Sequence, residues 1–216
     1  MSDNVSVLGF DTSGAHCGAA YFSGGDVVSA AYEDMKRGQA ERLPEMIAEV
    51  MEAADADIGQ LSAIGVGVGP GNFTGIRISI SYARGLAMAL GIPAVGVDLF
   101  DALALGQDRD MVLCLKAPRD SFYIQIRAGA EVSDITTWTP GNDLTFPSGA
   151  ICLGENADIL ANELGIERMP AKYAPASAIA RIAAHRFRDT VDRPKPLYLR
   201  PADAAPSSTP APTIIT

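Results

Sequence analysis

Apolar and polar residues recur at two different periods along this chain, and the change of period marks its elements. Residues 5–10 (VSVLGF) form a β-rich run that ends in the turn formers Asp11-Thr12-Ser13-Gly14. Residues 17–22 read as a second strand, Gly24-Gly25-Asp26 as a tight turn and residues 27–32 as a third strand, together an antiparallel meander. From Gln39 onward Leu43, Ile47, Val50 and Ala54 repeat at helical spacing, with Glu41, Glu45 and Glu49 between them. Proline is tolerated only in a first turn, so Pro44 places the start of the regular helix near itself. Residues 63–69 (AIGVGVG) read as a buried strand that feeds the loop Gly69-Pro70-Gly71-Asn72-Phe73-Thr74-Gly75. A helix then spans about 76–90, with Gly91 placed to cap it and Pro93 to stop it. A strand at 93–97 and a short helix at 99–105 complete this half.

The order of elements then begins again. Residues 111–115 read as a strand, 122–128 as its hairpin partner, 135–138 as a third strand and 151–153 as a buried strand, with helices at 156–164 and 176–187. The halves share this order but no residue-level repeat. An α/β fold of two lobes follows, each a mixed sheet with helices packed on it, with boundaries at 1–106 and 107–200. Residues 201–216 are rich in Pro, Ala, Ser and Thr, carry Asp203 as their single charge, and read as a flexible tail.

Composition narrows the functional classes. A 216-residue chain with 48% apolar and 20% charged residues can bury a sizeable core without staples. Its 17 Lys+Arg against 26 Asp+Glu give a net charge of -9, which disfavours a stand-alone nucleic-acid binder. Cys17, Cys114 and Cys152 form no C-x-x-C pair and read as buried apolar side chains in a reducing compartment. Two histidines leave little material for a metal centre. Met1-Ser2-Asp3-Asn4 has no basic, apolar leader pattern and no run is long enough to cross a membrane, so the expected location is cytoplasmic. Cys17 follows His16, but neighbours on a strand face opposite ways, which is poor geometry for a thiol and its base.

Several stretches could carry chemistry. The loop Gly69–Gly75 is either an anion cradle at a helix start or a tight strand-to-helix turn without a ligand; it lacks G-K-[ST] and fits no G-x-G-x-x-G register. Asp11, Thr12 and Ser13 stand where two-lobed phosphotransferases keep a carboxylate and a phosphate loop, or else they form an Asx-type turn opening a hairpin. The corresponding turn in the second half is Lys116-Ala117-Pro118-Arg119-Asp120, without a glycine, so nucleotide cleavage across the two lobes is poorly supported. His185 shares a helix with Arg181 and Arg188, as a solvated basic face or as a phosphate-contacting patch. No Ser/His/Asp or Cys/His set, H-E-x-x-H or helically spaced carboxylate pair is present.

The helix at 76–90 is unusual in having two apolar stripes, one through Ile76, Ile80, Ala83, Ala87 and Leu90, the other through Ile78, Tyr82, Gly85 and Ala89. Ser81, Gly85 and Ala89 repeat every four residues and are small enough for another helix to come close. Either the preceding helix covers this second stripe, or it docks on a partner. Met46 and Met51 on that preceding helix, beside Leu43 and Ile47, read as surplus apolar surface that would extend such a docking patch.

The string Gly69-Pro70-Gly71-Asn72-Phe73-Thr74-Gly75-Ile76-Arg77-Ile78, with Ala83-Arg84-Gly85-Leu86-Ala87 and Ile92-Pro93-Ala94-Val95-Gly96-Val97, resembles the TsaB (YeaZ) family. So do Leu8-Gly9-Phe10-Asp11-Thr12-Ser13, Glu41-Arg42-Leu43-Pro44 and Pro196-Leu197-Tyr198-Leu199-Arg200-Pro201. The likeness covers about residues 5–105 well and the second lobe thinly. Gln39 stands where the family usually has His, and Lys116-Ala117-Pro118-Arg119 replaces an Asp-Ala-Arg type turn.

The resemblance implies an actin-like, ribonuclease-H-like two-lobed fold. It also implies a non-catalytic subunit of the bacterial machinery that makes threonylcarbamoyladenosine beside the tRNA anticodon. The expected partners are a catalytic paralogue of TsaD type and an ATPase of TsaE type, with tRNA met through the complex, and a homodimer when the chain is alone. Where the paralogue carries the two histidines of H-x-x-x-H, this chain has Leu99 and Leu103, which cannot bind a metal. No tightly bound cofactor is therefore expected here, and ATP and a metal would belong to the partners. An actin-fold phosphotransferase or a metallopeptidase-like enzyme is the alternative.

Overall fold

The computed structural model describes residues 5–199; the tail assigned to 201–216 lies outside them. The first half runs β1 (Ser6–Asp11), β2 (His16–Ser23), β3 (Asp26–Asp34), α1 (Gln39–Ala53), β4 (Ala63–Gly67), α2 (Phe73–Leu90), β5 (Ala94–Val97) and α3 (Leu99–Ala104). The second runs β6 (Met111–Ala117), β7 (Ser121–Ala128), β8 (Glu131–Val132), β9 (Thr136–Trp138), β10 (Ile151–Gly154), α4 (Ala157–Leu164), β11 (Glu167–Arg168) and α5 (Pro175–Arg186).

Both halves build the same sheet. In the first, the order is β3-β2-β1-β4-β5, with the meander antiparallel and β1, β4 and β5 parallel. In the second, β7-β6-β10-β11 repeats the pattern, with β8 and β9 both pairing with β7. Topology thus repeats where sequence does not. The short strands β8 and β11 were not legible because two residues carry no periodicity.

Three apolar clusters define the layers. Leu8, Phe10, Ile64 and Val66 of the first sheet pack under α1 and α2. Val112, Cys114, Ile124 and Cys152 of the second sheet pack with Leu160 of α4. Between the sheets, α3 and α5 share a third cluster with Val7, Val97, Leu113 and Leu153. Each half ends in a helix inside this shared layer, and α5, from the second half, seats on the first sheet. Glycine makes that seat: a Cβ on Gly9 would lie 2.6 Å from Ala180 N and 2.7 Å from Ala176 O. Gly65, paired with Gly9 in the parallel register, meets Ala183 in the same way, at 2.8 Å. Asp101 of α3 ties the layer electrostatically, bonding Arg127 of β7 at 2.7 Å and Arg186 of α5 at 2.8 Å.

Two helix starts differ from the sequence reading. α1 begins at Gln39, so Pro44 lies inside it rather than in its first turn. Proline forfeits one backbone bond there, and Arg42 anchors the early turns instead, bonding Glu33 of β3 and Glu49 one face along, at 2.7 and 2.8 Å. α2 begins at Phe73 rather than Ile76, because the Asn72 side chain caps it by accepting from Gly75 N at 3.0 Å. Gly91 ends α2 in a left-handed conformation, φ 68°, as its position predicts.

The seat of α5 is testable by adding one carbon. Gly9→Ala forces α5 off the sheet and is expected to destabilise the protein by about 1–3 kcal/mol. Gly85→Ala meets open space on an exposed helix face and is expected to stabilise by up to about 1 kcal/mol. Urea denaturation compares the two; equal midpoints would show that α5 does not pack at Gly9.

Candidate functional site

Asp11 ends β1, the central strand of the first sheet, and is fully buried. Its Oδ2 accepts from the Ser13 hydroxyl at 2.9 Å and lies 2.8 Å from His16 Nε2. The His16 ring stacks on Tyr32 at 5.2 Å between centroids. Burial opposes a charge on His16. Its hydrogen bond to Asp11, the Asp11 charge, and Glu155 and Asp34 beyond outweigh this, so its pKa is raised above 6.5. Ser13 donates to Asp11 and not to His16, so the three form no nucleophile–base relay. Burial pushes the Cys17 thiol up to about 11, which keeps it protonated at neutral pH.

The glycine-rich loop and the Asp11 turn, separate in the sequence, are one structural unit. Asn72 N–H donates to Ser13 O at 2.6 Å, and the Thr12 hydroxyl donates to Gly75 O at 2.7 Å. A Cβ on Gly71 or Gly75 would overlap the Ser13 and Thr12 carbonyl oxygens. Close backbone approach therefore calls for glycine at both positions. The Thr12 and Ser13 hydroxyls and the Gly75 amide, groups a phosphate would use, are engaged within the chain. Of the two readings of the loop, the geometry fits a tight turn that welds α2 to β1.

The rest of the motif holds the C-terminal segment. Gly69, linked to Pro70 by a cis peptide, accepts from Leu99 N at 2.9 Å. The Arg77 guanidinium lies over the Phe73 ring at 3.7 Å and donates through Nε to the Tyr198 hydroxyl at 2.8 Å. Phe73 and Tyr198 stack at 4.9 Å. Arg84 donates to Pro194 O, and Leu197 N–H donates to Val68 O at 2.8 Å. Residues 191–199 so form a strap along α2 and β4. The Pro196-Leu197-Tyr198-Leu199 string has no hydrophobic period, so the sequence pattern carries no sign of this role.

Between the lobes lies a cleft of about 1060 Å³. Its lining includes His16, Tyr32, Lys36 and Thr74 of the first lobe, Leu99 and Leu103 of α3, and Lys116 of the second lobe. Leu99 and Leu103 supply apolar wall where side chains one turn apart converge. The turn after Lys116 carries Arg119 and Asp120 at φ 61° and 54°, without the glycines that a phosphate loop would use.

The expected interface residues separate into two groups. Leu43, Met46, Ile47 and Met51 are buried on the sheet under α1, so they are core and not docking surface. With Val50 they form the ordinary wide stripe of a surface helix. On α2, Ile76, Ile80, Ala83 and Ala87 turn inward, as their stripe predicts. Ile78 and Tyr82 are half-buried, Tyr82 edge-on to Phe10 at 5.9 Å. Ser81, Gly85 and Ala89 are exposed, and Met88 beside them is 81% exposed. Arg181 pairs with Asp26 and faces the Tyr173 ring.

Comparison with known proteins places this architecture. The model of the family described as "TsaD: tRNA N6-adenosine threonylcarbamoyltransferase" matches residues 32–145. The tRNA threonylcarbamoyladenosine biosynthesis protein TsaB of Escherichia coli is 32% identical over 100 residues, which cover 46% of this chain and 43% of that protein. An uncharacterized protein of Mycobacterium tuberculosis is 33% identical over 180 residues, 79% of each chain. The solved YeaZ of Pseudomonas aeruginosa superposes with a TM-score of 0.73 at 22% identity, covering 90% of this chain and all of that one. The fold is thus the α/β, actin-like two-lobed one of YeaZ. The chain belongs to the TsaB (YeaZ) family, within the reach of the threonylcarbamoyltransferase family model. Its match to the curated TsaB of E. coli spans less than half of that protein's length. Among the described residues, no helix is long and apolar enough to cross a membrane.

The His16–Asp11 pair gives the site a pH dependence. With the folded-state pKa of His16 raised, its contribution to stability is complete below the unfolded value of about 6.5 and is lost as pH rises through the folded value. Urea midpoints of wild type and His16→Gln are expected to differ most in mild acid and to converge in alkali. A gap of constant size across that range would mean that His16 is neutral beside Asp11.

Proposed function

We propose that this chain is a non-catalytic adaptor in the synthesis of threonylcarbamoyladenosine in tRNA, docking a catalytic paralogue of TsaD type on the outer face of α2. The family model and the E. coli relative, both named for threonylcarbamoyl chemistry on tRNA, support the pathway. The observation that carries the adaptor role is the outer face of α2. There Ser81, Gly85 and Ala89 leave a shallow furrow with Met88 standing exposed beside it, while the inward face already fills the core. Helices approach to about 8–10 Å when small side chains meet, and a flexible methionine moulds to what packs on it. The weld of the Gly69–Gly75 loop to the Asp11 turn fixes the pitch of α2, so the furrow is presented rigidly. In this reading an ATPase of TsaE type joins the pair in the cytoplasm, ATP and metal act on the partners, and tRNA is met by the complex. The same furrow serves a homodimer when the paralogue is absent.

Gly85 provides the test. A Cβ there meets nothing within 4 Å, so Gly85→Arg leaves the fold intact while filling the furrow. Copurification with the paralogue is expected to fall at least about tenfold, a loss of about 1.4 kcal/mol. Undiminished pairing rules this face out. Ile78 and Tyr82 are poorer choices, because both are half-buried on this chain's own core.

A further inference from the structure

The chain is acidic, yet its positive charge is gathered near one end. Residues 181–199 hold five of the 17 basic side chains and two of the 26 acidic ones. The fold draws part of this segment around a groove of about 540 Å³, bounded by the β5 residues Val95 and Gly96, the end of α5 and the strap. Arg186, Arg193 and Lys195 line it. Arg84 reaches its rim from α2, donating to Pro194 O. Pro194 is buried, while Arg193 and Lys195 on either side of it are exposed. An extended chain places such alternate residues about 6–7 Å apart on one face. Two of the cations are held in place: Arg84 by Pro194 O, and Arg186 by Asp101, which it meets at 2.8 Å with half its side chain still in solvent. Three carboxylates stand against these four cations: Asp101, bonded to Arg186, and the lining residues Asp189 and Asp192, the latter 3.6 Å from Lys195 and almost fully exposed, so the groove keeps a small positive excess.

We infer that this groove binds the phosphate backbone of RNA, a contact that the net charge of the chain conceals. Pre-positioned guanidinium forks suit phosphate oxygens, and a row of cations along an extended strap suits consecutive phosphates of one strand. An anionic membrane is the poorer partner, since it would face the acidic remainder of the surface over a much wider area. Arg84 sits on α2 among Ser81, Gly85 and Met88, so the groove opens beside the furrow proposed for the paralogue. RNA lying along it would be shared between the two chains. The choice of RNA rests on the proposed role in tRNA modification; the charged groove itself does not.

The test uses the isolated full-length chain, so it is read independently of pairing. Fluorescence anisotropy with a labelled RNA stem-loop at low salt compares wild type, Arg193→Glu/Lys195→Glu and, on β11 and outside the groove lining, Arg168→Glu. All three positions are exposed, and copurification of each variant with the paralogue is scored separately. The double variant is expected to lose at least about tenfold in affinity and about two from the slope of log K against log salt, whereas Arg168→Glu shifts neither beyond its change in net charge. Three results overturn the inference: no binding by the wild-type chain, equal losses in both variants, or binding to phosphatidylserine vesicles with none to RNA. If pairing survives while RNA binding fails, the groove is wrong and the adaptor stands. If pairing fails while RNA binding responds to the double variant, the adaptor is wrong and the groove stands.

Discussion

The fold hangs on helix α5 crossing from its own half to lie on the first sheet. A helix can approach a sheet this closely only where side chains are missing, and the facing pair Gly9 and Gly65 removes them at the contact with Ala176, Ala180 and Ala183. α3 makes the reciprocal move, packing with Leu113 and Leu153 of the second sheet. The two sheets therefore share a buried layer instead of meeting at a surface of their own, and Asp101 stitches that layer by bonding both Arg127 and Arg186. Burial opposes ionisation of Asp101, but its bonds to those two guanidiniums prevail and hold its carboxyl below the usual range. The strap begins directly after α5, so the same crossing delivers residues 191–199 to the flank of α2.

From that anchoring follows a division of labour on α2. Its N-terminus is pinned to the Asp11 turn by backbone bonds and by glycines that admit no side chain. Its flank is pinned to the strap through Arg77 and Arg84. Its inner stripe is committed to the core. Beyond its first turn, the face of Ser81, Gly85, Met88 and Ala89 stays open, on a helix with little freedom to shift. A rigid, small-residue face is what helix-to-helix recognition needs, because little ordering entropy remains to oppose binding. The glycine string that looks like a ligand loop thus acts on the fold, by fixing a helix.

Much of the fold was legible in the residues. Strong periods placed the meander, both long helices of the first half and the central strands of the second, since burial on one face writes itself into spacing. The inward stripe of α2 was read correctly for the same reason. The misassignment of Met46 and Met51 has a simple cause. Spacing gives the angle of a side chain around the helix, but not the width of the sheet beneath. A helix lying across β2 and β3 buries a broader arc than one narrow stripe. Pro44 misled because the cost of one lost backbone bond is local, whereas α1 is held by the whole of its inner face and by Arg42.

What stayed hidden was built from contacts far apart in sequence and without period. His16 and Asp11 meet because the β1–β2 turn brings the start of one strand beside the end of the other, which the tight turn formers could have suggested. The strap gave no signal beyond composition, yet it turns scattered cations into a single groove. Net charge is a sum over the whole surface, while binding depends on the local field. With 26 acidic residues against 17 basic ones, the total argues against anionic partners. The fold nevertheless sets Arg186, Arg193 and Lys195 around one hollow, with Asp189 and Asp192 among them and Arg84 at its rim. A chain that is acidic in sum can in that way still gather cations along one line of its surface, where Arg193 and Lys195 flank the buried Pro194.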